Sequence, residues 1–249
     1  MAPRRIAVIT GAGSGIGRAA ALSLAARGYG LVLVGRRREM LEHTEALAAP
    51  AECLIAPGDV CDEIAIQTIF DNAVAHFGRV DLLFNNAGLS LPATPIEDLD
   101  LIDWQRLVQV NLTGAFLALR AAFRVMKAQH PQGGRIINNG SLSAHAPRLF
   151  SAAYTATKHA VTGLTKAASL DGRRFAIACG QIDVGNASTD MGGGVVEGAL
   201  QADGSLRAEP VIDVAQAGEA VAYMDSLPIQ ANVQFMTVMA TAMPFIGRG

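Results

Sequence analysis

The chain has 249 residues and a formal net charge of −2; 51% of its residues are hydrophobic and 17% are charged. This balance excludes a disordered chain, and it gives no support for nucleic-acid binding, which needs excess positive charge. The apolar run Ile6–Thr10 is too short for a secretory signal, and no apolar stretch of about 18 residues occurs. Cys53, Cys61 and Cys179 are odd in number and lack metal-ligand spacing. We therefore expect a cytoplasmic protein with no disulfide framework and no metal site.

Short β-branched runs alternate along the chain with segments of helical periodicity. Strands are predicted at Ile6–Thr10, Leu31–Val34, Glu52–Ala56, Val80–Phe84, Gly134–Asn138, Ala176–Ile182 and Val233–Met239. Helices are predicted at Gly15–Arg27, Glu39–Ala48, Glu63–Phe77, Leu101–Lys127, Ala152–Arg173 and Val214–Asp225. This alternation predicts a single α/β domain over residues 1–249, a doubly wound parallel sheet of about seven strands with helices on both faces. Ligands of such sheets bind at the carboxyl ends of the strands.

Residues 185–210 form one long stretch that lacks clear periodicity. The stretch follows a predicted strand and contains Gly192-Gly193-Gly194. Long loops without regular structure in compact domains are usually functional, so we predict a mobile lid over a substrate. An ordinary surface loop is the alternative.

A glycine-rich loop, Thr10-Gly11-Ala12-Gly13-Ser14-Gly15-Ile16-Gly17, joins the first predicted strand to the first helix. Glycines permit a tight turn and let backbone N–H groups approach a diphosphate at a helix N-terminus. No Gly-Lys-Ser/Thr follows, which excludes an ATP-type phosphate loop. Ser14 lacks the flanking glycines of a nucleophile elbow. The loop therefore indicates dinucleotide binding on a Rossmann-type fold.

Two further features complete a resemblance to the short-chain dehydrogenase/reductase family. Asn85-Asn86-Ala87-Gly88 follows the fourth predicted strand, and Asn111, Ser141, Tyr154 and Lys158 resemble the family's catalytic tetrad in order. The resemblance extends from about residue 5 to about residue 240. It implies an NAD(P)(H)-dependent oxidoreductase that interconverts a secondary alcohol and a ketone or aldehyde by hydride transfer.

The proton donor and acceptor of this reaction is predicted to be Tyr154. Tyr154 and Lys158 are four residues apart on a predicted helix, which puts both side chains on one face. A free tyrosine titrates near pH 10, and a nearby ammonium favours the phenolate. The resemblance implies that Lys158 also holds the nicotinamide ribose and that Ser141 orients the substrate carbonyl, with Ser143 as an alternative by proximity. It implies that Asn111 forms a water-holding kink in its helix and passes protons to Lys158.

The cofactor preference is predicted from the end of the second strand, where Gly35-Arg36-Arg37-Arg38 stands. An acidic residue at this place binds the ribose of NAD, whereas arginines suit the 2′-phosphate of NADP. We favour NADP(H) over NAD(H); a solvated basic helix start is the alternative. The predicted cofactor-binding residues are Gly11, Ser14, Gly15, Ile16, Gly17, Arg36, Arg37, Asp59, Val60, Asn86, Ala87, Gly88, Tyr154, Lys158, Ile182 and Thr189, several of them implied by the resemblance.

The chain departs from the family pattern after the sixth strand, where the family usually has Pro-Gly. We interpret Gly180-Gln181 as its replacement, with Ile182 at the nicotinamide carboxamide and residues 186–189 around the nicotinamide and phosphate. The expected pocket lining is Ser90, Leu91, Leu142, Ser143, His145, Arg148 and the lid. The candidate substrate residues are Ser143, His145, Arg148, Gln181 and Asn186. For Arg148 we favour a surface arginine; contact with an acidic group of the substrate is the alternative.

The partners expected from the sequence are a small carbonyl or alcohol substrate and further copies of the chain. The apolar residues 233–239 and 244–246 are unsuited to a free tail. Together with the resemblance they predict a homotetramer or homodimer, with no membrane or nucleic-acid partner. A non-enzymatic NADP(H)-binding sensor or scaffold on the same fold is the competing hypothesis. A nucleotide-sugar epimerase or dehydratase is disfavoured, because 249 residues leave no room for a larger substrate domain.

Overall fold

A computed structural model of the chain describes residues 4–189 and 198–246. Its strands are β1 (Ile6–Thr10), β2 (Gly30–Gly35), β3 (Cys53–Pro57), β4 (Leu82–Asn85), β5 (Gly134–Asn139), β6 (Ile177–Val184), β7 (Ala199–Leu200), β8 (Leu206–Arg207) and β9 (Phe235–Val238). Its α-helices are α1 (Gly15–Ala25), α2 (Arg38–Ala48), α3 (Glu63–Phe77), α4 (Leu101–Val108), α5 (Ala115–Ala128), α6 (Ala152–Gly172) and α7 (Val214–Ser226). The predicted alternation of strands and helices is confirmed.

Seven of the strands form one sheet in the order β3-β2-β1-β4-β5-β6-β9, and each neighbouring pair is parallel. The chain winds outward from β1 to β3 on one side and from β4 to β9 on the other. The predicted doubly wound parallel sheet is therefore confirmed. The direction of winding reverses between β1 and β4, and such a reversal opens a crevice at the carboxyl ends of the strands.

The sheet is buried on both faces. Successive residues of a strand point to opposite sides, and each side packs against helices. In β1, Ile6 and Val8 pack into a core that includes residues of α3 and α5. Ala7 and Ile9 pack into a second core that includes residues of α1, α2 and α7. Burial of a large aliphatic side chain contributes roughly 1.5–3 kcal/mol to stability. The two cores therefore fix the strands, and with them the loops that follow their carboxyl ends.

The predicted helix Leu101–Lys127 is interrupted by a π-helical turn at Gln109–Gly114, between α4 and α5. The side chain of Asn111, in this turn, is buried and hydrogen-bonds to the backbone of Leu89. A Cβ at Gly114 would lie 2.8 Å from Val60 Cγ2, so the loop after β3 packs closely against the same turn. Isolated π-turns within helices are frequent at functional sites.

Strand β6 continues beyond its predicted end at Ile182 and runs to Val184. Its last residues pair with β9, Asp183 opposite Thr237 and Val184 opposite Val238. Gly185 is therefore the first residue past the strand, and Gly180-Gln181, interpreted as the replacement for Pro-Gly after the strand, lie within it. The additional β-ladder with β9 explains the difference, because its pairs extend β6 to Val184.

The predicted lid at residues 185–210 contains regular structure in its described part. Strands β7 and β8 form an antiparallel hairpin, and Ala187 forms a parallel bridge with Ile212. Gly192-Gly193-Gly194 lie outside the described residues. Among residues 4–189 and 198–246, no helix has the length and hydropathy needed to cross a membrane. The three cysteines are unpaired.

Candidate active site

A cavity of about 510 Å³ opens at the carboxyl ends of the strands, where the winding of the sheet reverses. Loops that follow β1, β4, β5 and β6 form its walls, together with the start of α6 and part of the β7 strand. The predicted site residues that line it are Gly11, Ser14, Gly15, Ile16, Asn86, Ala87, Gly88, Ser141, Ser143, Arg148, Tyr154, Lys158, Asn186 and Thr189. The fold thus brings together residues that are up to 178 positions apart, from Gly11 to Thr189.

The glycine loop has no room for side chains at its tightest points. A Cβ at Gly17 would lie 2.1 Å from the carbonyl oxygen of Gly11, and a Cβ at Gly11 would lie 2.9 Å from Asn86 Nδ2. Gly11 and Gly15 also have positive φ angles of 68° and 51°, which glycine adopts at no steric cost. Ser14 makes no side-chain cap for α1, so the first N–H groups of the helix stay open to an anion. This cradle fits the diphosphate of a dinucleotide.

Two side chains brace the loop from below. Thr10 Oγ1 accepts hydrogen bonds from the N–H groups of Asn86 and Ala87, both at 2.9 Å. Asn86 Nδ2 donates to the Thr10 carbonyl oxygen at 2.9 Å, and Asn86 Oδ1 accepts from Asn139 Nδ2. The opposite side-chain atom, Asn139 Oδ1, is buried without a hydrogen-bond partner in the described part of the chain. A buried orphan acceptor in the cavity wall also suits a bound polar ligand.

Three of the residues predicted to bind the cofactor, Arg36, Arg37 and Asp59, lie outside this cavity, after the ends of two neighbouring strands. Arg36 and Arg37 follow β2 directly and are exposed, and Asp59 lies two residues past the neighbouring strand β3. The Gly58 N–H donates to the Gly35 carbonyl at 3.0 Å and holds these strand ends together. Arg38 pairs with Glu42, whereas Arg36 and Arg37 make no ion pair with any residue in 4–189 or 198–246.

Tyr154 and Lys158 occupy the first two turns of α6 and face the cavity. Lys158 Nζ lies 5.6 Å from the centre of the Tyr154 ring. The same ammonium donates a hydrogen bond to the carbonyl oxygen of Asn139 at 2.8 Å, and the residue is only 6% exposed. The ammonium is therefore held between the end of β5 and the ring of Tyr154.

Ser141 is held at the end of β5 by a buried carboxylate. Its N–H donates to Asp183 Oδ1 at 2.9 Å, and its Oγ accepts from the N–H of Ser143 at 3.1 Å. The hydroxyl is the acceptor in this second bond, which leaves its hydrogen to be donated to a substrate oxygen. Asp183, in β6, also accepts from Gln181 Nε2 at 2.7 Å and contacts His145 Nε2 at 2.8 Å.

Gly140 is what makes this arrangement possible. A Cβ on Gly140 would lie 1.9 Å from Asp183 Oδ1, closer than any real contact. The carboxylate therefore takes the space in which a side chain of residue 140 would stand. The glycine before Ser141 and the aspartate of β6 are one structural unit.

Asn111 connects the π-turn to the cavity wall. Its Oδ1 accepts from the Leu89 N–H at 2.8 Å, and its Nδ2 donates to the Leu89 carbonyl at 2.9 Å and to Thr157 Oγ1 at 3.5 Å. Thr157 in turn donates to the carbonyl oxygen of Tyr154 at 2.9 Å. Asn111 thus links the loop after β4 to α6 without itself lining the cavity.

Three predicted contacts need correction, because the structure does not bring Gln181, Ile182 or His145 to the cavity. Residues 181–184 belong to a strand that is buried on both faces, so neighbouring side chains point into opposite cores. Ile182 packs with α1 and α7, and Gln181 hydrogen-bonds to Thr162 of α6. His145 is turned toward Asp183 instead. Within residues 4–189 and 198–246 no cluster of possible metal ligands occurs.

Arg148 lines the cavity, but its charge is already paired. Its Nη2 donates to Glu209 Oε2 at 2.6 Å and to Asn186 Oδ1 at 3.0 Å. Burial by itself would raise the pKa of Glu209, but hydrogen bonds from Arg148, Gln201 and Asn186 outweigh it and lower the pKa to about 2. Glu209 is therefore ionised at neutral pH and neutralises the guanidinium.

Sequence reasoning missed Asp183, Glu209 and Phe150. Asp183 is an acid within the apolar run of β6, and that pattern was a readable signal for a buried, partnered charge. Glu209 carries no local signal, because its partner Arg148 is 61 positions away. Phe150 lines the cavity with φ at 60°, a left-handed conformation that is uncommon for an aromatic residue. Its carbonyl accepts from the Thr94 N–H at 2.9 Å, which pins one cavity loop to another.

Comparisons with known proteins, by sequence and by structure, all lead to dehydrogenases and reductases. A family model described as short chain dehydrogenase matches residues 5–199. Levodione reductase of Leifsonia aquatica is 32% identical, over 98% of this chain and 93% of its own length. The structure of an alcohol dehydrogenase from Thermococcus sibiricus, complexed with 5-hydroxy-NADP, superposes with a TM-score of 0.83 at 25% identity, covering 96% of this chain and 98% of that one. A 3-ketoacyl-(acyl-carrier-protein) reductase from Brucella melitensis, complexed with NADH, gives the same four values.

Proposed function

Because the chain belongs to the short-chain dehydrogenase family, we propose that it reduces a ketone or aldehyde to an alcohol with NADPH, and that Tyr154 is its general acid. The family and the reductases among its relatives make the chain an oxidoreductase, and they do not favour the alternative of a sensor or scaffold. One observation supports the chemistry above the others. Tyr154, Ser141 and Lys158 line the same cavity as the uncapped glycine loop.

The proposed reaction adds a hydride to the carbonyl carbon and a proton to the carbonyl oxygen. A bound nicotinamide dinucleotide supplies the hydride. The Ser141 hydroxyl donates a hydrogen bond to the substrate oxygen and stabilises the negative charge that develops there. The Tyr154 phenol gives its proton to the same oxygen, and the Lys158 ammonium stabilises the phenolate that remains. In the oxidative direction the same groups act in reverse, with Tyr154 as the base.

The preference for NADP(H) rests on Arg36 and Arg37. Relatives of this fold have been crystallised with an NADP analogue and with NADH, so membership of the family leaves the preference open. The exposed, unpaired guanidinium groups at the end of β2 support the phosphorylated cofactor, because they can form charge-assisted bonds to a 2′-phosphate.

The test is thermal unfolding of the protein with NADPH, with NADH and with neither, at matched concentrations. A ligand at about 100 times its Kd stabilises a protein by roughly 2.7 kcal/mol. We expect a larger increase in Tm with NADPH, and we expect Arg36→Ala with Arg37→Ala to abolish the difference. Arg38→Ala is the matched control, since Arg38 already pairs with Glu42. A larger increase with NADH contradicts the arginine interpretation, and no increase with either contradicts the enzyme site.

We also propose that the chain acts as a single-domain subunit of a homotetramer or homodimer. Several large apolar residues of α4 and α5 are exposed, among them Leu101, Ile102 and Phe116. Exposed apolar residues on neighbouring helices are typical of a subunit interface. Light scattering measures the molar mass directly, and a value near 25.9 kDa, the mass of one chain, would contradict the assembly.

A further inference from the structure

The part of the cavity next to Tyr154 and Ser141 is largely apolar. Its walls include Leu89, Leu91, Pro92, Leu142, Leu149 and Phe150. Among the described residues, only two lining side chains are cationic, Lys158 and Arg148. Lys158 is held by the Asn139 carbonyl beside the phenol, so Arg148 is the group that would meet a negative charge on the distant end of a substrate.

The guanidinium of Arg148 is neutralised by a carboxylate that sits behind it. Glu209 is 4% exposed and receives both Nη atoms of Arg148, at 3.3 Å and 2.6 Å. Asn186 Nδ2 and Gln201 Nε2 also donate to Glu209, at 2.8 Å and 3.0 Å. Four donor contacts in a buried place keep this carboxylate charged and fixed. A second carboxylate, from a substrate, would therefore approach an ion pair that is already complete.

The predicted lid is poor in positive charge by sequence. By sequence, residues 190–197 contain the acids Asp190 and Glu197 and no lysine, arginine or histidine. Over residues 185–210 the sequence has one basic residue, Arg207, which forms an exposed pair with Asp203 at 2.8 Å. An anionic substrate would lose its hydration without gaining a charged partner, which is unfavourable.

We propose that Glu209 is a specificity-determining residue: by cancelling the charge of Arg148, it restricts the active site to uncharged, largely apolar ketones and alcohols and excludes carboxylates. This inference rests on the proposed function, since it concerns the substrate of the same site. It argues against the alternative that Arg148 meets an acidic group of the substrate. Arg148 lines the cavity, but its guanidinium already forms an ion pair with Glu209.

The test compares ketones that differ only in charge. Three matched pairs of probes are 4-oxopentanamide with 4-oxopentanoate, 4-oxocyclohexanecarboxamide with its acid, and 4-acetylbenzamide with 4-acetylbenzoate. In each pair the amide and the carboxylate have nearly the same shape. The ratio of kcat/KM for the amide to kcat/KM for the acid is measured at pH 8 with saturating NADPH. Binding of NADPH is checked first by thermal unfolding, so that failure of the proposed function is recognised separately.

Three variants form a charge series at this position. Wild type and the double variant Arg148→Gln/Glu209→Gln have a neutral pair, Glu209→Gln leaves a net positive charge, and Arg148→Gln leaves a net negative charge. We expect the wild-type enzyme to favour the amide, and Glu209→Gln to shift the ratio toward the acid by about tenfold or more, the size of one charge-assisted hydrogen bond. Arg148→Gln should shift it the other way, and the double variant should return close to wild type.

The alternative to this proposal is that Arg148 and Glu209 only fasten the hairpin of β7 and β8 beside the cavity. In that case each single variant lowers the activity on amide and acid alike, and the ratio stays constant. A constant ratio overturns the proposal. So does a wild-type enzyme that binds NADPH but prefers the acids, or one that reduces no amide of the three pairs. If Glu209→Gln does not fold, Arg148→Gln and the double variant still measure the dependence on charge.

Discussion

The position of the Ser141 hydroxyl, the proposed hydrogen-bond donor to the substrate oxygen, depends on a carboxylate that does not line the cavity. Asp183 is fully buried and accepts the Ser141 N–H at 2.9 Å, so it fixes the backbone from which the hydroxyl projects. Gln181 Nε2 also hydrogen-bonds to Asp183 Oδ1, and His145 Nε2 to Asp183 Oδ2. Asp183 is therefore a positioning residue, and its contribution should be visible in kcat more than in cofactor binding.

Replacement of Asp183 by alanine should lower kcat about tenfold or more, because the Ser141 N–H and Gln181 Nε2 lose their acceptor. Each buried donor left unsatisfied costs about 1–3 kcal/mol. Asp183→Asn keeps an acceptor for Ser141 and should recover part of the loss, while the Kd of NADPH stays within about twofold in both variants. Steady-state kinetics and fluorescence titration with NADPH measure the two effects.

Asp62→Ala is the control for loss of stability alone. Asp62 caps α3 by accepting from the N–H groups of Ile64 and Ala65, and a lost cap costs about 1 kcal/mol. This variant should unfold more easily and keep its kcat. An equal loss of kcat in Asp62→Ala and Asp183→Ala would mean that Asp183 is merely structural.

The phenol of Tyr154 gives a second prediction at this scale. Tyr154→Phe removes the proton donor but keeps the ring, so kcat should fall by roughly 10²–10⁴-fold, the usual contribution of general acid catalysis. The increase in Tm with NADPH should remain. Tyr223→Phe, on the exposed face of α7, is the matched control and should leave kcat unchanged. Retention of most activity by Tyr154→Phe would rule out the proposed mechanism.

Among the elements, the hairpin of β7 and β8 is fastened to the active site by polar contacts. Gln201 lies just after β7 and Glu209 just after β8, and the two are hydrogen-bonded at 3.0 Å. Glu209 continues the connection to Arg148, in the loop before α6. The hairpin has only two residues in each strand, and so short a ladder has little stability of its own. We therefore expect the hairpin to be held beside the active site while Glu209 is ionised, and to be held less firmly when Glu209 is protonated.

Glu209 makes stability depend on acid pH. Its pKa is about 2 in the folded chain against an ordinary value of 4.5, so the stabilisation is complete above pH 4.5 and decreases as the pH falls toward 2. Between pH 6 and pH 3.5 wild type should lose roughly 1–2 kcal/mol more than Glu209→Gln. Urea unfolding at the two pH values measures this difference. Glu219→Gln, which removes an exposed pair with Arg27, should change the wild-type pH dependence less than Glu209→Gln does, because solvent screens the exposed pair.

Periodicity was sufficient to predict the strands and helices, because both faces of the sheet are packed against helices. It was insufficient where packing between distant segments decides the local structure. The π-turn at Gln109–Gly114 depends on Asn111 and its contacts with Leu89, 22 positions earlier. The end of β6 depends on its pairing with β9, more than 50 residues later. No pattern within either segment reports these contacts.

The candidate site divides in the same way. The glycine loop and the Tyr154–Lys158 spacing are local patterns, and both segments line the cavity. Gln181 and Ile182 were misplaced because the register of one strand decides which face each residue occupies. The neutralisation of Arg148 was not predictable from a local pattern, because its partner Glu209 is 61 positions away.

At the scale of the whole molecule, a buried ionic cluster joins the N-terminus, the sheet and the end of α7. Asp225 is fully buried and contacts Arg5, Arg135 and the Tyr29 hydroxyl. Burial raises the pKa of Asp225, although Arg5, Tyr29 and Arg135 each oppose the change. Arg135 also donates to the carbonyl oxygens of Leu227 and Ala231. The cluster therefore closes the end of the sheet opposite the active site.

Removal of the central carboxylate should destabilise the entire chain without affecting the chemistry. Asp225→Ala leaves the buried guanidinium of Arg135 without its charge partner, and such losses cost about 3–5 kcal/mol. For a chain of this size the Tm should fall by roughly 10 °C. Asp203→Ala, which breaks an exposed pair with Arg207, should change the Tm little. Calorimetry of both variants measures this, and equal Tm values would contradict a stabilising cluster.

The contact between Gly140 and Asp183 restricts the order in which this site can change during evolution. A side chain at residue 140 would collide with Asp183 Oδ1 at 1.9 Å, so any replacement of the glycine is deleterious while the aspartate is present. A Cβ at residue 140 would also lie 2.6 Å from Gln181 Nε2, so a smaller residue at position 183 is necessary but not sufficient, and it removes the acceptor that holds Ser141. Lineages that keep this carboxylate are thus committed to glycine at residue 140, and the two positions should be lost or retained together.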